Sequence, residues 1–307
     1  GADKIFAGLG DDVVIGLVGA DSVDGGDGSD TLKLLPTSVA LNAATDAQLV
    51  NIETISASTV QTTVSILLSK QTESVSIFSG SGSDSLSGGA NGDNISAGAG
   101  NDTILFGGLG ADTITGGEGD DTINGGAGDD LISAGGGNDS ITYQGADTID
   151  GGDGTDVIVL SSTATALAPS ANEQLVNVEA VSAAGVGVAV TVNLANQAEG
   201  FTVTGGNASD TIAGSASADI ISAGFGNDVI IGFVGKDTID GGSGNDTLVL
   251  TATSDALNAA GNDQLVSVDA VSASTAMGAV TITLAKQTEG FTLTGGAGAD
   301  MLTGGSG

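Results

Sequence analysis

The sequence predicts an all-β solenoid, a stack of very short strands joined by tight turns and interrupted by three 45-residue spacer modules. Three observations carry that expectation. A nine-residue unit, Gly-Gly-x-Gly-x-Asp-x-aliphatic-x, recurs in tandem, as in GGDGSDTLK at 25–33. Every copy places Ile, Val or Leu two residues after its aspartate. Each spacer replaces a whole number of units, so the phase of the repeat survives it.

The aspartates define the register. A first run has Asp3, Asp12, Asp21 and Asp30, and a second has Asp84, Asp93, Asp102, Asp112, Asp121, Asp130, Asp139, Asp147 and Asp156. A third has Asp210, Asp219, Asp228, Asp237 and Asp246, and a fourth begins at Asp300. One extra residue near Phe106 and one missing near Gln144 cancel within the second run. Each unit divides into six turn residues and an x-aliphatic-x strand. So short a strand cannot stand alone, but stacked copies pair and bury one aliphatic row.

The spacers are copies of one module. Gln48-Leu49-Val50-Asn51-Ile52-Glu53 matches Gln174-Leu175-Val176-Asn177-Val178-Glu179 and Gln264-Leu265-Val266-Ser267-Val268-Asp269. Asp30 to Asp84, Asp156 to Asp210 and Asp246 to Asp300 each span 54 residues. Such phase-keeping is natural if spacers stack in the same solenoid, where a slip would turn the apolar row outward. Alternation at Val64/Ile66/Leu68, Val190/Val192/Leu194 and Val280/Ile282/Leu284 predicts half-buried strands. A second strand follows at Val75/Ile77, Phe201/Val203 and Phe291/Leu293. Segments 37–49 and 252–265, rich in Ala, Asn, Asp and Leu, leave room for a short helix, and Pro36 and Pro169 fall near spacer starts. The expected organisation is a run at 1–33, a spacer at 34–78, a run at 79–159, a spacer at 160–204, a run at 205–249, a spacer at 250–294 and a new run from 295 to 307.

Composition narrows the function. Thirty-eight acidic residues face five lysines, with no histidine, for a formal charge of −33. That charge opposes compaction unless cations neutralise it, and it excludes a nucleic-acid or anionic-membrane partner. High charge with few aromatics is also a signature of disorder, but 40% of the residues are hydrophobic and they recur at fixed positions. There is no cysteine, so disulfides and thiolate metal sites are impossible, and a metal can serve as the staple instead. No apolar run is long enough for a membrane-spanning helix. The chain starts and stops in mid-repeat, as expected of an excerpt from a longer protein.

Glycines at the turn positions permit φ > 0 and let carbonyl oxygens converge, while the sixth-position aspartate adds a carboxylate. Stacked turns bring those carboxylates together, where they repel without a cation. Calcium fits, because it accepts six to eight hard oxygen ligands at flexible angles; magnesium holds its waters and zinc prefers the absent histidine and cysteine.

The units GGEGDDTIN (116–124), GGAGDDLIS (125–133) and GGSGNDTLV (241–249) resemble the nonapeptide of RTX proteins. That resemblance implies a parallel β-roll or β-helix with two nonapeptides per turn and calcium between unit n and unit n + 2. The implied pairs include Asp3 with Asp21, Asp12 with Asp30, Asp112 with Asp130, Asp121 with Asp139, and Asp228 with Asp246. If every such pair within a run binds, about twelve ions are held, and their roughly 24 positive charges offset most of the −33. Ala208 and Ser217 stand where the turn wants glycine, and the unit around Tyr143-Gln144-Gly145 is one residue short, so sites at Asp210, Asp219 and Asp147 are expected to be weak. Asn91 is the milder change, since asparagine tolerates that region.

No enzymatic activity is expected. Serine-histidine chemistry has no histidine, the glycine-rich GLGADT at 108–113 lacks the Gly-Lys-Ser/Thr of a phosphate loop, and the carboxylates are one repeated column rather than an acid and a base set apart by environment. Asn94, Asn101, Asn138, Asn207 and Asn245 sit in Asn-x-Ser/Thr triplets that the repeat largely generates by itself. Glu53, Glu179 and Asp269 suit either extra ligands or turn roles. The expectation is a calcium-rigidified structural segment of a large secreted bacterial surface protein, an S-layer subunit, adhesin or matrix fibre, with self-association or cell-surface partners. The alternative is the calcium-binding carrier region of a type I-secreted enzyme or toxin.

Overall fold

The computed structural model describes residues 2–17, 20–35, 41–42, 44–162, 166–168 and 171–307. Pro36, Pro169 and residues 37–40 of the first candidate helix lie outside that set. The chain divides into two compact units, residues 1–157 with 176–178, and residues 158–175 with 179–307. Each is a solenoid of parallel β-strands.

In the first unit, Lys4–Leu9, Ser22–Asp27 and Leu49–Val50 form one ladder. A second contains Val13–Ile15, Thr31–Lys33, Thr54–Ser56, Ser76–Phe78, Asn94–Ala99, Thr113–Glu118, Leu131–Gly137 and Thr148–Gly154. A third contains Ser65–Leu67, Ser85–Ser87, Thr103–Phe106, Thr122–Asn124 and Ser140–Thr142. Consecutive nonapeptides alternate between ladders, so a strand pairs with the one two units on, as Ile114 does with Ile132 and Ile123 with Ile141. Two nonapeptides therefore make one turn.

The x-aliphatic-x strand explains the core. Its middle side chain alone points inward, and Ile95, Ile114, Ile132 and Ile149 meet Leu86, Ile104, Ile123 and Ile141 from the opposite ladder, all fully buried. Burial of each such side chain stabilises by roughly 1.5–3 kcal/mol, which a lone three-residue strand could not collect. Of the aliphatics two residues after an aspartate, Ile5 and Leu302 on the outermost described turns are the ones left partly exposed. The extra residue near Phe106 is absorbed as a bulge, where the register shifts between Ile104 and Phe106.

Strands from the intervening segments join the same ladders in register. Leu32 pairs with Ile55, Ile55 with Ile77, and Ile77 with Ile95, while Ile66 pairs with Leu86. In the second unit, Val192, Ile212, Ile230, Leu248, Val271 and Leu293 form one unbroken inward row, and Val181, Val203, Ile221 and Ile239 another.

The short-helix expectation resolves into an α-helix at Asp255–Ala259, where the Ser254 hydroxyl accepts the Leu257 N–H, and single 3-10 turns at Asp46–Gln48 and Asn172–Gln174. A repeated latch holds these segments down. The buried amides of Gln71, Gln197 and Gln287 donate to the carbonyls of Ala44, Ala171 and Ala260. The next residue's N–H (Thr72, Ala198, Thr288) donates to the side chain of Asp46, Asn172 or Asn262.

Candidate metal sites

The sixth-position aspartates stack in columns along the roll. Each Oδ1 accepts the backbone N–H of the aspartate one full turn earlier: Asp102 from Asp84, Asp112 from Asp93, Asp121 from Asp102, Asp130 from Asp112, Asp139 from Asp121 and Asp156 from Asp139, at 2.7–2.9 Å. Asp147 accepts from Asp130 at 3.0 Å. Asp21 and Asp30 do the same for Asp3 and Asp12, and Asp228, Asp237 and Asp246 for Asp210, Asp219 and Asp228. Where the preceding turn carries no repeat aspartate, Val64, Val75, Val190, Phe201 and Val280 take the donor's place beneath Asp84, Asp93, Asp210, Asp219 and Asp300.

The second oxygen sorts the aspartates into two groups. In Asp12, Asp30, Asp102, Asp112, Asp121, Asp130, Asp139, Asp228 and Asp246, Oδ2 is buried with no hydrogen-bond partner. A buried carboxylate oxygen left so is costly unless something positive meets it. In Asp93, Asp210 and Asp219 it instead accepts an N–H from its own turn (Gly89, Gly206, Ser215), and in Asp147 and Asp237 that of Gln144 and Val234. Asp84 is closed off by the Ser79 hydroxyl.

Turn conformation accounts for the difference. In open turns the second and fourth glycines take positive φ, as at Gly117 (126°) and Gly119 (121°), or Gly126 (106°) and Gly128 (147°). Ala208 and Ser217 stand outside the positive-φ residues, and the turn closes on its own aspartate. Asn91 also fails to adopt the left-handed region, so its unit is closed and is not the milder departure its tolerance of that region suggested.

The first glycine of an open turn has another role. At Gly107 an added methyl would collide with both the Gly125 carbonyl oxygen and Oδ2 of Asp112, and at Gly116 with the Ala134 carbonyl and Oδ2 of Asp121. Carboxylate and carbonyl from successive turns thus converge on one cradle. Ala97, Ala134 and Ala223 occupy the same repeat position in other units, with their methyls buried.

Burial, followed by the neighbouring carboxylates, raises these acids without a cation. Asp112 and Asp121 are pushed up to about 7, and Asp102, Asp147, Asp228 and Asp237 to about 6. Asp93, Asp130, Asp139 and Asp246 are raised as well, again chiefly by desolvation.

A family model of the RTX calcium-binding nonapeptide repeat matches residues 1–32, 76–105, 106–141, 142–162, 204–232, 214–248 and 292–307. The chain belongs to the RTX repeat family. No curated protein matches it. RTX nonapeptide repeats bind calcium, and the donor chemistry here fits that ion: among the described residues no cluster of three or more His, Cys, Asp or Glu side chains gathers, so a site must combine few carboxylates with backbone carbonyls.

A second column escaped the sequence reading. Fifth-position side chains accept N–H groups from the next turn's fifth residue, Asn101 from Asp120, Asp120 from Asn138, and Asn138 from Thr155. The frequent Asn or Asp before the repeat aspartate was the available signal. It also gives Asn101 and Asn138 a structural use apart from their Asn-x-Ser/Thr triplets.

Proposed function

We propose that this chain is a calcium-rigidified, non-catalytic structural segment of a large secreted bacterial surface protein, of the S-layer, adhesin or matrix-fibre kind. The single observation that carries the reading is the column of buried aspartates whose Oδ2 atoms have no partner. These carboxylates recur along the open turns of each run rather than gathering at one place, which suits a structural role better than a reaction centre. Calcium would bridge successive turns through the Asp carboxylates and turn carbonyls, converting a self-repelling chain of −33 into a stiff roll. Extracellular calcium would then switch folding on after export. Among the described residues no helix is long and apolar enough to cross a membrane.

Circular dichroism of the chain in calcium and in excess EGTA tests the calcium-dependent fold. A gain of β signal with calcium is expected, and an unchanged spectrum refutes it. The structural role is tested on the full open reading frame, where a catalytic domain would favour instead a carrier region of an exported enzyme or toxin.

A further inference from the structure

The end of each run poses a problem that its interior does not. Asp30 and Asp246 are the last aspartates of their runs, both 0% exposed with Oδ2 unpartnered. The next turn belongs to a spacer and has no nonapeptide aspartate. In its place stand Asn51-Ile52-Glu53 and Ser267-Val268-Asp269.

These triplets reproduce the missing turn. Oε2 of Glu53 accepts the Asp30 N–H and Oδ2 of Asp269 accepts the Asp246 N–H, each at 2.7 Å, as Oδ1 of Asp139 does for Asp121. The Asn51 carbonyl and the Asp30 carboxylate crowd Gly25 so closely that no methyl fits there; the Ser267 carbonyl and Asp246 carboxylate do the same to Gly241. The Gly125 carbonyl and Asp112 hold that relation at Gly107 inside the run. Asn51 and Ser267 take left-handed φ of 51° and 54°, a conformation adopted at a cost by residues other than glycine. Asn177 repeats it at 51°, with its carbonyl against Gly151 and Asp156.

We propose that the spacers complete a terminal calcium site at the end of a run: the buried carboxylate of Asp30 or Asp246, the carbonyl of Asn51 or Ser267, and the added negative charge of Glu53 or Asp269. The inference rests on the calcium reading above and deepens it. Calcium then fastens a spacer to the run before it, and the strained residue is explained by the carbonyl it delivers. The opposite junction differs, since the first units after a spacer hold Oδ2 of Asp84, Asp93, Asp210 and Asp219 in hydrogen bonds of their own.

Equilibrium dialysis of the 307-residue chain with radiolabelled calcium tests this. Glu53→Gln with Asp269→Asn, which leaves every repeat aspartate in place, should bind about two ions some tenfold more weakly than wild type, whereas Asp30→Asn with Asp246→Asn, which also removes a partner of Asp12 and of Asp228, should retain at least about two fewer ions. Asp121→Asn is the internal control. If it loses an ion while Glu53→Gln with Asp269→Asn matches wild type, the junction proposal is overturned and the roll reading stands. If wild type itself retains no calcium, the underlying reading fails. Should Asp30→Asn with Asp246→Asn lack β signal in saturating calcium, the Glu53→Gln and Asp269→Asn isotherm decides, and an unchanged isotherm overturns the proposal.

Discussion

Oδ1 of Asp139 accepts the backbone N–H of Asp121 across one full turn at 2.7 Å, while Oδ2 of the same buried carboxylate has no partner. One oxygen sets the register and the other is buried without a hydrogen bond, the place where the proposed calcium would bind.

Substituting Asp121→Asn together with Asp130→Asn should therefore raise the calcium concentration at the folding midpoint by about tenfold. Asp210→Asn should move it far less, since Oδ2 of Asp210 already accepts the Gly206 N–H. Calcium titrations followed by circular dichroism check this ranking. Equal shifts would show that open and closed turns bind alike.

Protons compete for the same oxygens. Asp112 and Asp121 lie at about 7 and Asp102 and Asp228 at about 6, against an ordinary 3.8, chiefly because burial disfavours the charged form. A folded-state pKa raised in this way gives stability that is full below about 3.8 and lost as pH climbs through 6 and 7. The metal-free chain should gain β signal as pH falls from 7.5 toward 4.5, and its calcium midpoint should rise over the same interval, in steps of roughly one pH unit. A calcium midpoint that stays constant between those pH values would mean the columns do not titrate with binding.

Much of this was legible because the repeat makes local chemistry and global packing coincide. The aliphatic two residues after each aspartate, such as Ile132, could be placed in the core since an x-aliphatic-x strand has one inward side chain. The open or closed state of a turn was only partly legible. Ala208 and Ser217 announce themselves, but Gly82 sits at the right position and its turn is still closed, by the hydroxyl of Ser79 at the first position, where open turns carry glycine or alanine. The left-handed backbone at Asn51 was hidden as well, since the residue type alone does not decide it: Asn51 and Asn177 adopt it and Asn91 does not.

Two glycines in adjacent nonapeptides should respond differently to a methyl group. Gly126 has φ of 106° and faces the Gly108 carbonyl, so Gly126→Ala should cost about 1–3 kcal/mol. Gly136 has ordinary φ, and a methyl added there would first meet the movable Glu118 carboxylate, 3.3 Å away. Gly136→Ala should be near neutral. Urea midpoints in saturating calcium give the comparison, and similar losses at both sites would contradict the assignment.

Adjacent residues of one strand offer a test of the inward row. Ile132 is fully buried whereas Leu131 beside it is 53% exposed. Ile132→Ala should lower stability by about 2–5 kcal/mol and Leu131→Ala by roughly 0.5 kcal/mol or less. If Leu131→Ala proves the more damaging in thermal melts, an apolar contact outside this fold must cover that face.

The glutamine latch should govern local opening rather than calcium binding. Gln287 is 1% exposed and donates Nε2 to the Gly261 carbonyl at 2.9 Å, just beyond the Asp255–Ala259 helix. A five-residue helix is too short to persist unaided, so its order depends on this contact and on Leu257 beneath it. Gln287→Ala takes away the side-chain donor shared by the Ala260 and Gly261 carbonyls, of which Gly261 keeps the Gln264 N–H, and should cost about 1–3 kcal/mol locally. Hydrogen exchange at Leu257 and Asn258 should accelerate, while exchange at Ile230 and Leu248, paired inside the ladder, should not. Uniform acceleration across both regions would show that the segment opens only with the whole roll, and the latch would then be a packing contact without a separate role.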